Sequence, residues 1–263
     1  MTIIFLASIL LGVAAGIISG LFGIGGGVII VPVLAMLFIK QGFPGELVMI
    51  MSVATSLATI IFTSSFSVLA HHRLNTIRWD RVIALGPGII VGAATGAIVA
   101  DHVSGGVLRF MFILYLLAVA IQMALQIKPN PGMKPPAKQL DLTASAVIGL
   151  LSSILGIGGG TLTVPYLVHF QITMRNAVAT ASACGLPIAV VGTIGYALLG
   201  NDAKQLPDWS LGYIYLPAFL GIVLTSIFTA QMGANLAYKL PAQKLKRYFS
   251  LLLFMMAAKL IWF

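Results

Sequence analysis

Thirteen residues, Gly20-Leu21-Phe22-Gly23-Ile24-Gly25-Gly26-Gly27-Val28-Ile29-Ile30-Val31-Pro32, return as Ser153-Ile154-Leu155-Gly156-Ile157-Gly158-Gly159-Gly160-Thr161-Leu162-Thr163-Val164-Pro165. Both copies lie in apolar stretches, where a run of glycines disfavours helix. A break at Gly23, Gly25, Gly26 and Gly27 exposes backbone N–H groups, and the helix that follows turns its positive end toward the break. With no side chains in the way, a tetrahedral or pyramidal oxyanion can approach closely. Gly156, Gly158, Gly159 and Gly160 offer the same device a second time. Glycines also let membrane helices cross tightly. Two copies, each followed by a proline, favour a binding site, because interrupted helices at matching depth in two halves mark transporter sites.

Hydroxyl groups are the next candidates. Ser52, Thr55, Ser56, Thr59 and Thr63 recur at spacings of three and four, so they share one helical face. Val53-Ala54-Thr55-Ser56 is answered by Val178-Ala179-Thr180-Ala181-Ser182. Thr55, Ser56, Thr180 and Ser182 therefore join the glycines as substrate-binding candidates, and the other hydroxyls are assigned to packing between helices. No Lys, Arg, Asp or Glu falls near the middle of a predicted span, so a bound anion relies on N–H dipoles and hydroxyls. His71, His72, Arg73, Arg78 and Arg81 read as interface anchors, and Arg175 with Asn176 as a helix cap and anchor. His102 and His169 lack a second ligand at metal spacing, so no metal and no cofactor is expected. Cys184, beside Gly185 and Pro187, reads as a small buried residue.

The elements that must hold these groups are membrane helices. Hydrophobic residues make up 59% of the 263 and charged residues 8%, far from a soluble balance. Charge-poor stretches of about 18 residues or more recur along the chain, as spans require. The net charge of +9 is scattered among short loops, which suits retention of Lys and Arg on the cytoplasmic side better than nucleic-acid binding. No basic residue precedes Lys40, so residues 3–20 read as structure and not as a signal peptide.

Ten helical pieces are predicted, some too short to span alone: 3–21, 27–39, 46–70, 82–100 and 107–127, then 141–155, 160–170, 175–200, 210–238 and 243–262. The expected fold is an all-α polytopic membrane protein with about 8–10 transmembrane segments. It divides into a first repeat (1–127), a Pro-rich linker (128–140) and a second repeat (141–263). Trp79 and Pro87 match Trp209 and Pro217 at an offset of 130, and Gly96–Arg109 aligns with Gly233–Lys246 after a seven-residue insertion. The loops at 71–81, 128–140, 171–176 and 239–247 hold Arg73, Arg78, Arg81, Lys128, Lys134, Lys138, Arg175, Lys239, Lys244, Lys246 and Arg247, most of the 15 basic residues. With those loops cytoplasmic, the two repeats are inverted. Pieces 27–39 and 160–170 either span or re-enter.

At the two G-x-G-G-G-x-x-x-x-P motifs, the Ala-Thr-Ser segments and the Arg73-Leu74-Asn75-Thr76-Ile77-Arg78-Trp79 loop, the chain resembles the sulfite exporter TauE/SafE family. The likeness continues to the Leu240–Arg247 stretch. It implies a bacterial inner-membrane, multi-pass transporter of sulfite, organosulfonates or related small sulfur anions, generally outward. Alternatives are a transporter of another small anion or a non-transporting membrane subunit. An enzyme is disfavoured, since there is no paired-carboxylate motif, no H-E-x-x-H and no G-x-S-x-G.

Overall fold

The computed structural model describes residues 2–22, 25–125, 138–203, 205–237 and 242–262. Gly23 and most of the Pro-rich linker lie outside the described residues. Ten helices follow in order: α1 (Thr2–Phe22), α2 (Gly27–Lys40), α3 (Gly45–Arg73), α4 (Trp79–His102), α5 (Gly105–Ala124), α6 (Lys138–Leu155), α7 (Gly160–His169), α8 (Met174–Leu199), α9 (Leu216–Ala237) and α10 (Ala242–Trp262). Among the described residues, α3, α4, α5, α8 and α9 are long and apolar enough to cross a membrane by length and composition, and Ile4–Gly20, α2 and Phe249–Trp262 are shorter apolar helices.

The burial pattern is the reverse of a soluble protein's. Leu10, Ile83 and Phe228 are each more than 70% exposed, whereas Ser52, Thr55, Ser56, Thr59 and Thr63 are wholly buried. The exposed side chains form an apolar coat suited to lipid. Helix α3 runs through the centre, and its hydroxyls serve the interior.

One predicted element changes. Residues 210–215 do not begin the ninth helix; Ser210–Leu211 (β1) and Ile214–Tyr215 (β2) form a small antiparallel hairpin. Gly212 turns it with φ +52°, and a Cβ there would stand 2.3 Å from the Ala197 carbonyl oxygen. The hairpin is the inserted segment, so α9 starting at Leu216 corresponds to α4 starting at Trp79. The match of Trp79 and Pro87 to Trp209 and Pro217 is therefore not structural. Pro87 lies inside α4, whereas Pro217 is the second residue of α9.

The helices pair crosswise. The broadest pairings are α1 with α9 and α4 with α6, each joining one half of the chain to the other. Gly12 meets Ile222 and Gly16 meets Ser226; likewise Gly88 meets Leu142, Gly92 meets Ala146 and Gly96 meets Leu150. Numbers rise together, so both pairs run parallel. A Cβ at Gly92 would come within 2.0 Å of the Ala146 oxygen. Small residues bring the backbones into direct contact, as in membrane helix packing. On α9, the Thr225 hydroxyl donates to the Ile9 carbonyl at 2.9 Å.

Two poles result. At the basic pole Arg78 and Arg81 begin α4, Asp141 lies in the first turn of α6, and Arg175 begins α8. At the opposite pole Tyr213 donates to Asp101 at 2.7 Å, and the Gly105 N–H donates to Glu46 at 2.9 Å. Burial, then the hydrogen bond to the Asp101 carboxylate, raises the Tyr213 phenol above its usual pKa.

Candidate anion site

The two short helices begin at the same place. Gly26 and Gly159 are their N-caps, with φ +79° and +72°, a conformation open to glycine and costly to side chains. The first in-helix bonds are Ile29 and Ile30 N–H to the Gly26 carbonyl in α2, and Leu162 and Thr163 N–H to the Gly159 carbonyl in α7. The N–H groups ahead of them have no partner within their helix. Neither N-cap is closed by a side chain.

From this origin the helices run to opposite poles. α2 ends where Phe38 and Phe43 stack at a ring-centroid distance of 4.8 Å, both rings meeting Tyr215 edge-on. α7 ends where the Tyr166 hydroxyl donates to Asp141 at 2.7 Å. With 14 and 10 residues, they measure about 21 Å and about 15 Å. Neither alone crosses a hydrocarbon core of ~30 Å, whereas the two end to end exceed it. Each also folds back beside the helix before it. The Cβ position of Gly26 lies 3.2 Å from the Ala15 oxygen of α1, and that of Gly159 lies 3.5 Å from the Ser152 hydroxyl of α6. The short pieces re-enter.

The breaks touch. A Cβ on Gly25 would stand 3.3 Å from the Gly158 Cα, and one on Gly27 would stand 2.3 Å from the Gly156 carbonyl oxygen. Gly156 itself, at φ +69°, leaves no room against Val53 of α3. The Gly158 carbonyl lies 2.4 Å from the Cβ position of Gly185 on α8, and Gly160 is buried at the start of α7. Ser56 donates to the Gly156 carbonyl at 2.8 Å, and Thr63 reaches the Gly25 carbonyl at 3.4 Å. Seven of the candidate glycines and Ser56 thus converge on one buried point between α3 and α8; Gly23 is outside the described residues.

The other three candidates sit apart. The Thr55 hydroxyl accepts the Tyr215 N–H at 3.0 Å, and the Thr180 hydroxyl accepts the Arg78 N–H at 3.0 Å. Tyr215 immediately precedes α9 and Arg78 immediately precedes α4. Each threonine satisfies the residue that launches a helix in the other half of the chain. Ser182 donates to the Val178 carbonyl at 3.0 Å and accepts from Ser67 at 3.4 Å.

Sequence reasoning missed a buried charge cluster. Arg81 and Tyr166 both donate to Asp141 Oδ1, at 2.6 and 2.7 Å, tying α4 and α7 to the start of α6. Arg81 and Asp141 are 60 residues apart, too far for any local pattern to join them. Tyr115 of α5 is hydrogen-bonded to Thr161 of α7, another link without a local signal.

An apolar coat, a hydroxyl-lined central helix and two re-entrant helices meeting N-terminus to N-terminus define a multi-pass membrane transporter. The family comparison agrees. The chain belongs to the sulfite exporter TauE/SafE family, whose pattern it matches over residues 8–260. It is 36% identical over 253 residues to a probable membrane transporter protein of Haemophilus influenzae, covering 96% of both chains. A probable membrane transporter protein of Methanocaldococcus jannaschii is 26% identical over 244 residues, covering 90% of this chain and 88% of its own. One of Bacillus subtilis is 23% identical over 278 residues, covering 98% and 97%. No solved structure matches the chain significantly.

Proposed function

We propose that this transporter exports a small sulfur-containing oxyanion, sulfite or an organosulfonate, across the bacterial inner membrane, and binds it where the two glycine breaks meet. The observation that carries this reading is the convergence of two helix N-termini, from opposite poles, on one buried point. Each N-terminus carries a partial positive charge of about half a unit, so the pair favours an anion without a fixed cation. The two stretches 1–127 and 141–263 act as inverted repeats that contribute one break each, with the basic pole in the cytoplasm.

Export then needs no coupling ion. A cytoplasm negative by ~100 mV favours exit of a monoanion by about 2.3 kcal/mol, which corresponds to a gradient of roughly fifty-fold. Electrogenic uniport follows. The test is sulfite efflux from proteoliposomes under a valinomycin-clamped potassium potential, with Gly26→Val and Gly159→Val as controls. Efflux that rises with the potential and vanishes in both controls is expected. Efflux indifferent to potential at fixed pH would refute uniport, and no efflux from folded protein would refute sulfite as cargo.

A further inference from the structure

The two breaks are built alike in backbone but not in side chains. Around Gly26 the nearest atoms to a Cβ position are the Ala15 carbonyl oxygen at 3.2 Å, the Ile30 Cδ1 methyl at 3.4 Å and the Ala15 Cβ at 3.5 Å. Around Gly159 the Ser152 Oγ and the Thr163 Oγ1 both stand 3.5 Å from the corresponding point, with the Ile188 methyl at 2.5 Å as an apolar wall. Ser152 and Thr163 are wholly buried, and among the described residues neither hydroxyl has a hydrogen-bond partner. An unpaired buried hydroxyl is costly and uncommon, which calls for a ligand or a water at that spot. Thr163 occupies the position that Ile30 takes in the first copy of the motif, and Thr161 the position of Val28.

We infer that, where the two breaks meet, the side chains that hold the oxyanion come from the second break. The hydroxyls of Ser152 and Thr163, with the first N–H groups of α7, form its cradle; the first break keeps a buried serine, Ser19, at the position of Ser152 but has Ile30 in place of Thr163, so it lacks the second hydroxyl. This rests on the transporter reading above and adds the residues that select the ligand. Two side-chain donors plus the N–H groups of Gly160 and Thr161 suit an anion carrying three oxygens on one small centre. The Ile188 methyl, 2.5 Å from the Gly159 Cβ position, fills this space and must swing aside for the anion to enter.

The test is equilibrium binding by calorimetry on the purified full-length chain in detergent, with sulfite, methanesulfonate and acetate as probes. Ser152→Ala and Thr163→Val are each expected to weaken sulfite binding at least tenfold. Thr163→Ser, which keeps the donor, stays within about threefold of the parent, and Ser19→Ala beside the first break leaves binding unchanged. If the parent binds sulfite and both cradle variants bind it equally well, the cradle is wrong and the transporter reading survives. Acetate binding as tight as sulfite through the same hydroxyls overturns the three-oxygen selectivity. If the parent binds none of the three probes, the cradle and the sulfur-oxyanion reading fail together.

Discussion

The second glycine break carries a hydroxyl, that of Thr163, where the first carries the methyl groups of Ile30. Gly26 is flanked by Ala15 and Ile30, Gly159 by Ser152 and Thr163, although both helices start with the same left-handed turn. The same contrast recurs where the re-entrant hairpins end. At one pole Arg81 from the first half and Asp141 and Tyr166 from the second form a largely buried polar knot; the matching positions at the other pole are Ala218, Ser8 and Val33. The two halves thus share a backbone plan, and their matching positions differ in polarity. A fold can keep its symmetry in backbone while its matching side chains diverge.

The sharpest way to break this comparison is at the charge knot. Asp141→Ala leaves Arg81 buried without its partner, so unfolding in detergent is expected to lose about 3–5 kcal/mol. The mirror change Ser8→Ala removes a buried hydroxyl that has no partner among the described residues, and stability is expected to hold or rise slightly. Equal losses would show that the two ends are equivalent after all.

Gly27→Ala comes next. Its methyl would collide with the Gly156 carbonyl and push the breaks apart, at a cost of about 1–3 kcal/mol and with efflux lost. Swapping polarity between the breaks is a finer probe. Ile30→Thr puts a hydroxyl into an apolar site and costs about 1–3 kcal/mol in chemical denaturation. Thr163→Val holds or gains stability, even as the binding measured above falls.

Where the halves are alike, effects should be alike. Thr55→Val and Thr180→Val each strand a backbone N–H, that of Tyr215 or Arg78. Each is expected to lower the melting free energy by about 1–2 kcal/mol. The smallest effect is at Tyr213. Its raised pKa means that it helps stability fully below the ordinary tyrosine value near 10, and that help is lost as pH climbs through the folded value. Tyr213→Phe should flatten the alkaline fall in melting temperature.

Much of the fold was legible because glycine, proline and polar loops punctuate apolar runs strongly. The breaks, the order of the ten helices and the re-entrant candidates all follow from those signals. The hairpin at 210–215 was hidden by an apolar run and by a chance spacing of Trp and Pro, which made the insertion look as if it came later. The candidate glycines were legible as a pair, and the difference between Val28-Ile29-Ile30 and Thr161-Leu162-Thr163 stood in plain view. Reading the copies as equals concealed it. Thr55 and Thr180 recur in both halves, and in the structure that recurrence serves helix starts. The Arg81–Asp141–Tyr166 knot depends on tertiary approach, which no spacing rule reports.

The crosswise pairing of α1 with α9 and of α4 with α6 also sets a timetable for biosynthesis. At roughly 5–20 residues per second, the ribosome finishes Gly16 long before Ser226, the residue it packs against. For roughly ten to forty seconds the first helix sits in the bilayer with its glycine face uncovered. Its flush side must be tolerable to lipid in the meantime, and a seam of small apolar residues, free of charge, is the kind of surface that can wait.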